Sequence, residues 1–327
     1  MSGNTTFNSD PVIRAQVYSE FLLETINDQF LPEGLHRDVT DFGDGDVLNI
    51  PTIGEMPIYD IEEDKETPLA ALDTGNVTLT ITEHVGVGGY TTDKLKEDAY
   101  KAMAVESQIP TSSLRGIRER YETDMLATAN DAHTSGDANT FNDVDHRWVA
   151  GGASGTDGII SFEDLAYLKW AFDEANMPDE GRILLVAPSV EATFNTTSNI
   201  VQVQNNPMFE GLITEGFSRG RKFLTNIFGF DIWTSSRLPR IASETITGGP
   251  DGGSHSVASD GVANIAMCIA DDQTKPVMGA WRRQPAIEGH RNTPKRRDEF
   301  YVTARWGFGS QRLESQAVIV TSRTAYK

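Results

Sequence analysis

The chain has 327 residues, 38% hydrophobic and 23% charged, with 28 Lys/Arg against 48 Asp/Glu for a formal charge of −20. The apolar share excludes a disordered chain, the single cysteine excludes an internal disulfide, and the acidity argues against tight binding of nucleic-acid phosphates. The charge is also uneven: residues 1–218 hold 12 basic and 38 acidic side chains, whereas residues 219–327 hold 16 and 10. Such an imbalance is a solvated acidic surface or, more sharply, a basis for head-to-tail association of copies.

At roughly 100–200 residues per domain, two domains are expected. No apolar run is long enough to span a bilayer, and the polar start "MSGNTTFNSDP" lacks the regions of a signal peptide. An intracellular, non-membrane product is expected. Residues 1–40 read as an arm in which Val12, Ile13, Val17, Phe21 and Leu22 repeat at helical spacing. In "TDFGDGDVLNIP" the Gly and Asp residues mark a turn before a strand. Asp41, Asp44 and Asp46 lack the later glycine and distal glutamate of a calcium loop. "IYDIEEDKETPLAALDTGNV" (58–77) follows, between the strand-like "DVLNIPTIG" and "NVTLTITEHV". Its tip gathers Asp60, Glu62, Glu63, Asp64 and Glu66 around Lys65.

"TTDKLKEDAYKAMAVESQ" reads as a helix with Thr92 as N-cap and Asp93 in its first turn. Pro110 is expected to break or kink the chain. A longer helix then carries Leu114, Ile117, Tyr121, Met125 and Ala129 on one stripe until Gly136. A second capped helix starts at Ser161 with Asp164 three residues on. It packs through Phe162, Leu165, Leu168 and Phe172. "GRILLVAPS" is a short buried strand, "IFGFDIWTSSRLPR" a strand by alternation of Phe228, Phe230 and Ile232, and residues 247–261 a Gly/Ser-rich loop. "VANIAMCIA", whose Cys268 reads as a buried inert thiol, "KPVMGAWRRQPAIEG", the alternating Phe300, Val302, Ala304, Trp306 and Phe308, and "QAVIVTS" complete an α+β chain without internal repeats.

Catalytic patterns are poor. "GFSRG" centres G-x-S-x-G on Ser218, with His255, His290, Asp251 and Asp271 downstream, but the buried strand and small-residue helix of a nucleophile elbow are missing. The six histidines form no metal spacing, and "NDVDH" (142–146) reads as a polar loop before it reads as a ligand set. "GVGGY" lacks the third glycine of a dinucleotide site, and "GGPDGGS" lacks the Lys-Ser/Thr of a P-loop. No enzyme, cofactor or metal is expected. The basic runs "SRGRKF", "AWRRQP" and "NTPKRRDEF" suit the acidic two thirds of the same or a neighbouring chain.

The 51–89 stretch, about 19 residues out and back, reaches up to roughly 60 Å if fully extended, against a radius of gyration near ~20 Å for a compact chain of this size. An isolated hairpin is marginal in water. Ile53, Met56, Ile58, Leu69, Leu72, Val77, Leu79 and Ile81 therefore need another surface, and an identical neighbour is the simplest supplier. The residues expected at this contact are Ile58, Glu62, Glu63, Asp64, Lys65, Leu69 and Leu72.

The order of these elements resembles the tailed-bacteriophage major capsid proteins. "GDGDVLNIP" is similar to that family's strand leading into an extended loop, and "GRILLVAPSVEATF" to its strand–proline–helix unit. "IFGFDIWTSSRLP" resembles its strand ending in Ser-x-x-Leu-Pro, and "RWGFGSQRLESQAVIV" its closing strands. The resemblance implies an N-terminal arm (1–48), an extended β-hairpin loop (49–90), a peripheral domain with a spine helix (91–139 and 299–327) and an axial domain (140–298). It implies hexamers and pentamers in an icosahedral shell around double-stranded DNA held without sequence-specific binding, assembled in the host cytoplasm and found in the virion capsid, with short-tailed phage coats closest. Other copies of the chain, a separate scaffolding protein (the arm being too short for a fused one), a portal protein and room for decoration proteins follow as partners. In relatives a loop lysine crosslinks to a neighbour's asparagine; Lys65 has no matching asparagine or glutamate, so ordinary salt bridges are expected of it. An encapsulin-type compartment shares the fold and is the alternative; a serine hydrolase using Ser218 is the remote one.

Overall fold

The computed structural model describes residues 30–31, 34–39, 45, 47–54, 56–61, 63–64, 66, 69–72, 74–98, 102–134, 136–196, 223–257 and 260–323, with the backbone alone for 102–107, 195–196 and 223–225. The expected arm helix and Ser218 lie outside these residues. The first strands are β1 (Arg37–Asp38), β2 (Val47–Ile53), β3 (Thr74–Thr80) and β4 (Glu83–Thr92). β2 and β3 pair as an antiparallel hairpin from Val47↔Thr80 to Ile53↔Thr74. Thr92 caps α1 (Asp93–Asp98), its hydroxyl accepting from the N–H of Leu95 at 3.3 Å, so a first-turn donor is satisfied.

α2 (Ala102–Asp131) is one helix of 30 residues that runs through Pro110, about 45 Å at 1.5 Å per residue. Of the break or kink expected at Pro110, the break does not occur. The ring removes one N–H and costs on the order of 3 kcal/mol. Burial of Ile117, Met125, Leu126 and Ala129 further along outweighs that loss.

The chain continues through β5 (Thr140–Phe141), β6 (Val144–Asp145), β7 (Arg147–Val149), α3 (Phe162–Glu174), β8 (Arg182–Val186) and α4 (Pro188–Thr196). Asn142 and Asp143, with φ of 49° and 64°, form the two-residue turn that a tight hairpin requires, so "NDVDH" is a β5–β6 hairpin. Its Asp145 accepts from the Thr140 hydroxyl (2.9 Å) and the Gly249 N–H (2.8 Å). Among the described residues no group of His, Cys, Asp or Glu has a metal-holding arrangement. Ser161 and Asp164 form the reciprocal cap of α3. The buried Asp164 carboxylate also accepts from the Trp148 indole (3.2 Å) and the Gly151 N–H (3.0 Å), fastening the helix start to the segment after β7.

The remaining strands are β9 (Phe223–Ile227), β10 (Phe230–Thr234), β11 (Arg240–Ile241), β12 (Glu244–Thr247), β13 (Ser254–Val257), β14 (Gly261–Cys268), β15 (Val277–Asn292), β16 (Arg297–Ser310) and β17 (Gln316–Ser322). Phe228, which alternation assigns to a strand, instead forms the β9–β10 turn with Gly229, both at positive φ (52° and 88°).

These strands make two principal sheets. The first has the order β1-β15-β16-β4, and α2 lies on it. Strand alternation turns Val302, Ala304 and Trp306 inward, where they pack with Ile117, Leu114 and Tyr121. Tyr121 stacks on Trp281 with centroids 4.2 Å apart, and the Trp306 indole donates to Asp124 at 3.2 Å. The second sheet runs β7-β17-β14-β8-β10-β9, with β11 on β14. Every residue of β14 is buried, as expected of a nearly continuous apolar strand covered on both faces. Its one amide, Asn264, accepts from the Ala187 N–H (2.8 Å) and donates to the Ile319 carbonyl (2.9 Å) and Thr321 hydroxyl (2.8 Å). α3 and α4 cover this sheet through Leu165, Leu168, Phe172, Val190 and Phe194, joined in the same core by Met125, Leu126 and Ala129 of α2. One helix thus serves both sheets.

The boundary expected at residue 298 falls inside the β15–β16 hairpin, whose strands pair from Val277↔Ser310 to Asn292↔Arg297. β15 lies in the first sheet with α2, and β17 lies between β14 and β7 in the second. The physical reason is pairing: a hairpin keeps its two strands together, whereas the apolar "QAVIVTS" fits only a strand covered on both faces.

Beyond the end of α2, the rings of His133 and His146 are parallel within 3°, centroids 6.5 Å apart, and both residues are buried. Neither ring nitrogen of His133 has a hydrogen-bond partner among the described residues. Burial, with the neighbouring His146 and Arg147 adding to it, pushes the His133 pKa down to about 3; the carbonyls of Gln316 and Leu313, outside hydrogen-bond geometry, offset this only in part. Burial lowers His146 as well. A neutral buried histidine is protonated first in the unfolded chain, so its contribution is intact above pH 6.5 and is lost as pH falls toward 3. His133 alone predicts a loss of ~2 kcal/mol between pH 7.5 and pH 5, seen as a falling urea midpoint and flattened in His133→Phe. A wild-type midpoint that does not move over this range would contradict a neutral His133.

Candidate assembly surface

The β2–β3 hairpin has two parts that differ in what covers them. At its base Leu79 is fully buried against Met278 and Ala280, with Val39, Leu48, Ile50 and Val77 packed around them, and Ile81 is buried too. The chain leaves β3 directly over Gly307, where a Cβ would sit 2.3 Å from the Thr80 carbonyl oxygen. Only glycine permits that approach. Leu79 and Ile81, expected to need a neighbour, are therefore buried by their own subunit, and Val77 is partly buried by it. β4 then joins β16 in register from Glu83↔Trp306 to Thr92↔Arg297. The hairpin ladder is seven pairs long, about 23 Å, well short of the fully extended limit.

Beyond the ladder the situation reverses. Ile58 is 98% exposed, Leu69 95%, Ile53 74% and Ile61 73%; Met56, Tyr59 and Leu72 are also exposed. Glu63 and Asp64 are exposed at the tip, where Asp64 turns the chain with φ of 63°. Glu62 and Lys65 lie outside the described residues. Isolated exposed apolar side chains are ordinary, but so many on one short loop mark a surface meant to be covered. Sequence reading passed over Tyr59 and Ile61 because they are interleaved with the acids. The signal was there: an isoleucine between Asp60 and Glu62 has no solvation advantage.

At the far end of the first sheet, the turn 293–296 exposes Lys295 and Arg296. Beneath it the acids are already engaged. Arg291 forks onto Asp93 (2.7 Å twice) and also reaches Asp298 (2.9 Å), which takes Lys96 at 2.6 Å. Glu299 accepts from the Tyr301 hydroxyl (2.6 Å), Arg297 (2.5 Å) and Asn292 (2.9 Å), and these bonds hold its pKa down to about 2. The turn therefore presents positive charge on a braced hairpin, a complement to an acidic loop tip.

The residues weighed for catalysis are not brought together among the described residues. His255 is held by Asp251 on Nε2 and Asp157 on Nδ1, both at 2.8 Å, and these carboxylates raise its pKa. It straps two loops together. His290 is exposed on β15, "GVGGY" forms part of β4, and Cys268 is buried. No helix among the described residues is long and apolar enough to cross a membrane.

A family profile described as phage capsid protein matches residues 79–321. The chain belongs to the phage capsid protein family. It is a structural, non-enzymatic protein of the virion capsid that self-associates. The match begins at Leu79, where the hairpin becomes anchored; the exposed loop lies outside it. No curated protein matches by sequence. Among solved structures, the capsid of Cyanophage P-SCSP1u is 14% identical over 99% of this chain and 96% of that one, with a TM-score of 0.72. The capsid of Ralstonia phage GP4 is 10% identical over 100% of both chains (TM-score 0.64), and Mycobacterium phage Che8 14% identical over 96% and 98% (TM-score 0.60). At these identities the likeness is one of fold, and the fold of this capsid protein is that of phage major capsid proteins: a spine helix on one sheet, a second mixed sheet, and a projecting loop.

Proposed function

We propose that this capsid protein forms hexamers and pentamers of an icosahedral shell enclosing double-stranded DNA, with the β2–β3 loop of each subunit lying over a neighbour. The observation that carries this reading is the contrast within one hairpin: a base buried on its own subunit and a tip whose Ile58, Ile61 and Leu69 are 98%, 73% and 95% exposed. The acidic tip meets the neighbour's basic surface, in keeping with the opposite charge balances of residues 1–218 and 219–327. The sheet carrying α2 and the β15–β16 hairpin is assigned as the peripheral domain and the seven-stranded sheet as the axial domain. A separate scaffolding protein sets shell size, a portal protein occupies one vertex, and assembly takes place in the host cytoplasm. The overall negative charge suits a container that encloses DNA without adhering to it.

The test is electron microscopy of the protein expressed with and without its scaffolding protein. Uniform closed shells are expected with the scaffold, and capsomers or irregular shells without it. A discrete small oligomer under both conditions would refute the shell.

A further inference from the structure

β8 and β10 are parallel neighbours in the seven-stranded sheet, and a cavity of about 200 Å³ opens at their carboxyl ends. Crevices at the carboxyl ends of parallel strands are where open sheets bind ligands. β8 ends at Val186 and Pro188 opens the nine-residue α4, so the cavity meets a helix start where the Ser189 N–H has no intrahelical acceptor. Arg240 and Arg323 line it, and among the described residues no carboxylate does. Both side chains are exposed at its rim, and neither guanidinium forms an ion pair among the described residues. The register explains their convergence. Arg240 and Thr321 pair with Val262 from opposite sides of β14, so all three side chains share a face, and Arg323 follows two residues later.

Two hydroxyls in the wall are short of acceptors. Ser189 Oγ is hidden from solvent with no hydrogen-bond partner among the described residues. Ser235, 1% exposed, accepts from the Arg237 N–H at 3.3 Å, and its own proton meets no acceptor among the described residues. Buried donors left without acceptors in native proteins call for an explanation.

We propose that this cavity binds a phosphoryl group. The two guanidinium groups supply charge-assisted hydrogen bonds, the α4 N-terminus supplies an amide and a favourable dipole, and Ser189 and Ser235 donate their hydroxyl protons. At ~30 Å³ per water the space holds one tetrahedral phosphate with a few waters; anything attached to the phosphate lies outside. Inorganic phosphate and the backbone phosphate of DNA share this chemistry.

Thermal unfolding of the full-length, unassembled subunit tests the proposal apart from shell formation. Sodium phosphate is titrated against sodium chloride at matched ionic strength. The melting temperature should climb with phosphate beyond the chloride control, as mass action requires of a ligand bound by the folded state. Arg240→Gln/Arg323→Gln should raise the phosphate concentration needed by at least about tenfold. Ser189→Ala, which keeps both charges, should raise it about three- to tenfold and keeps the test decisive if the double variant folds poorly. Short duplex and single-stranded DNA are then offered against inorganic phosphate. Displacement by DNA identifies the backbone as the source, and phosphate binding without displacement identifies the free ion. Equal effects of phosphate and chloride, or a phosphate effect unchanged in both variants, would overturn the site.

Discussion

Replacing residues 54–73 with an Asn-Gly turn is expected to leave a folded subunit that no longer forms stable shells. The last pair of the ladder is Ile53↔Thr74, and a two-residue Asn-Gly connection is the one a tight hairpin prefers. The described residues removed are almost all exposed, whereas Leu79, Met278 and Ala280 at the base are retained. Folding stability should change little, or rise: shortening a loop about tenfold lowers its closure cost by ~2 kcal/mol. Assembly should respond in the opposite direction. Covering Ile58, Ile61 and Leu69 on a neighbour would contribute ~1.5–3 kcal/mol each before ordering costs, repeated at every subunit of the proposed shell. Calorimetry would read the first effect, and sedimentation with microscopy the second. Ile58→Asp and Leu69→Asp sharpen the test, since side chains more than nine-tenths exposed should leave the melting temperature untouched yet impair assembly. Normal particles from the shortened hairpin would remove the loop from the assembly contact.

Much of the architecture was legible because it rests on local rules. The Ser161–Asp164 cap, the alternation of Val302, Ala304 and Trp306, and the proline after "ILLVA" each carry their physical reason within a few residues. The misread elements depend on distant partners. Pro110 is tolerated because the helix on both sides of it packs on β16 and β4: Ile109 lies so close that a Cβ on Gly89 would meet it at 2.5 Å, and Ile117 is buried against Val302, Ala304 and Trp306. Phe228 is apolar at a strand-like spacing, yet turn geometry claims it. The run "NVTLTITEHV" is strand-like throughout, but its division into β3, which returns along β2, and β4, which joins β16, depends on a partner more than 200 residues away. For the assembly surface, composition located the acidic tip; burial alone separates Leu79, which packs at home, from Leu69, which does not. The phosphate cavity left no local signal, since Ser189, Ser235, Arg240 and Arg323 sit on four segments that meet only through sheet order.

The largest single loss of stability is expected from Arg147→Met. Arg147 and Glu244 are each 1% exposed and 97 residues apart, joined by two hydrogen bonds of 2.7 and 2.8 Å. The remaining groups are also engaged: Arg147 donates to Asn130 at 3.2 Å, and Glu244 accepts from the Gly136 N–H at 2.9 Å. This pair therefore holds the end of α2, the segment leading from it, β7 and β12 in one arrangement. Removing the guanidinium leaves a buried carboxylate without its charged partner, at a cost of ~3–5 kcal/mol. The urea midpoint should fall by roughly 1 M or more. Arg147→Met/Glu244→Leu should recover most of that loss, because two apolar side chains of similar volume need no compensation. The double variant separates an uncompensated charge from a cavity. If it is as unstable as Arg147→Met, packing around the pair and not its charge is what holds these elements. If Arg147→Met lies within 1 kcal/mol of wild type, the carboxylate finds water or a proton, and the junction between the spine helix and the seven-stranded sheet is held by the apolar contacts of Met125, Leu126 and Ala129 alone.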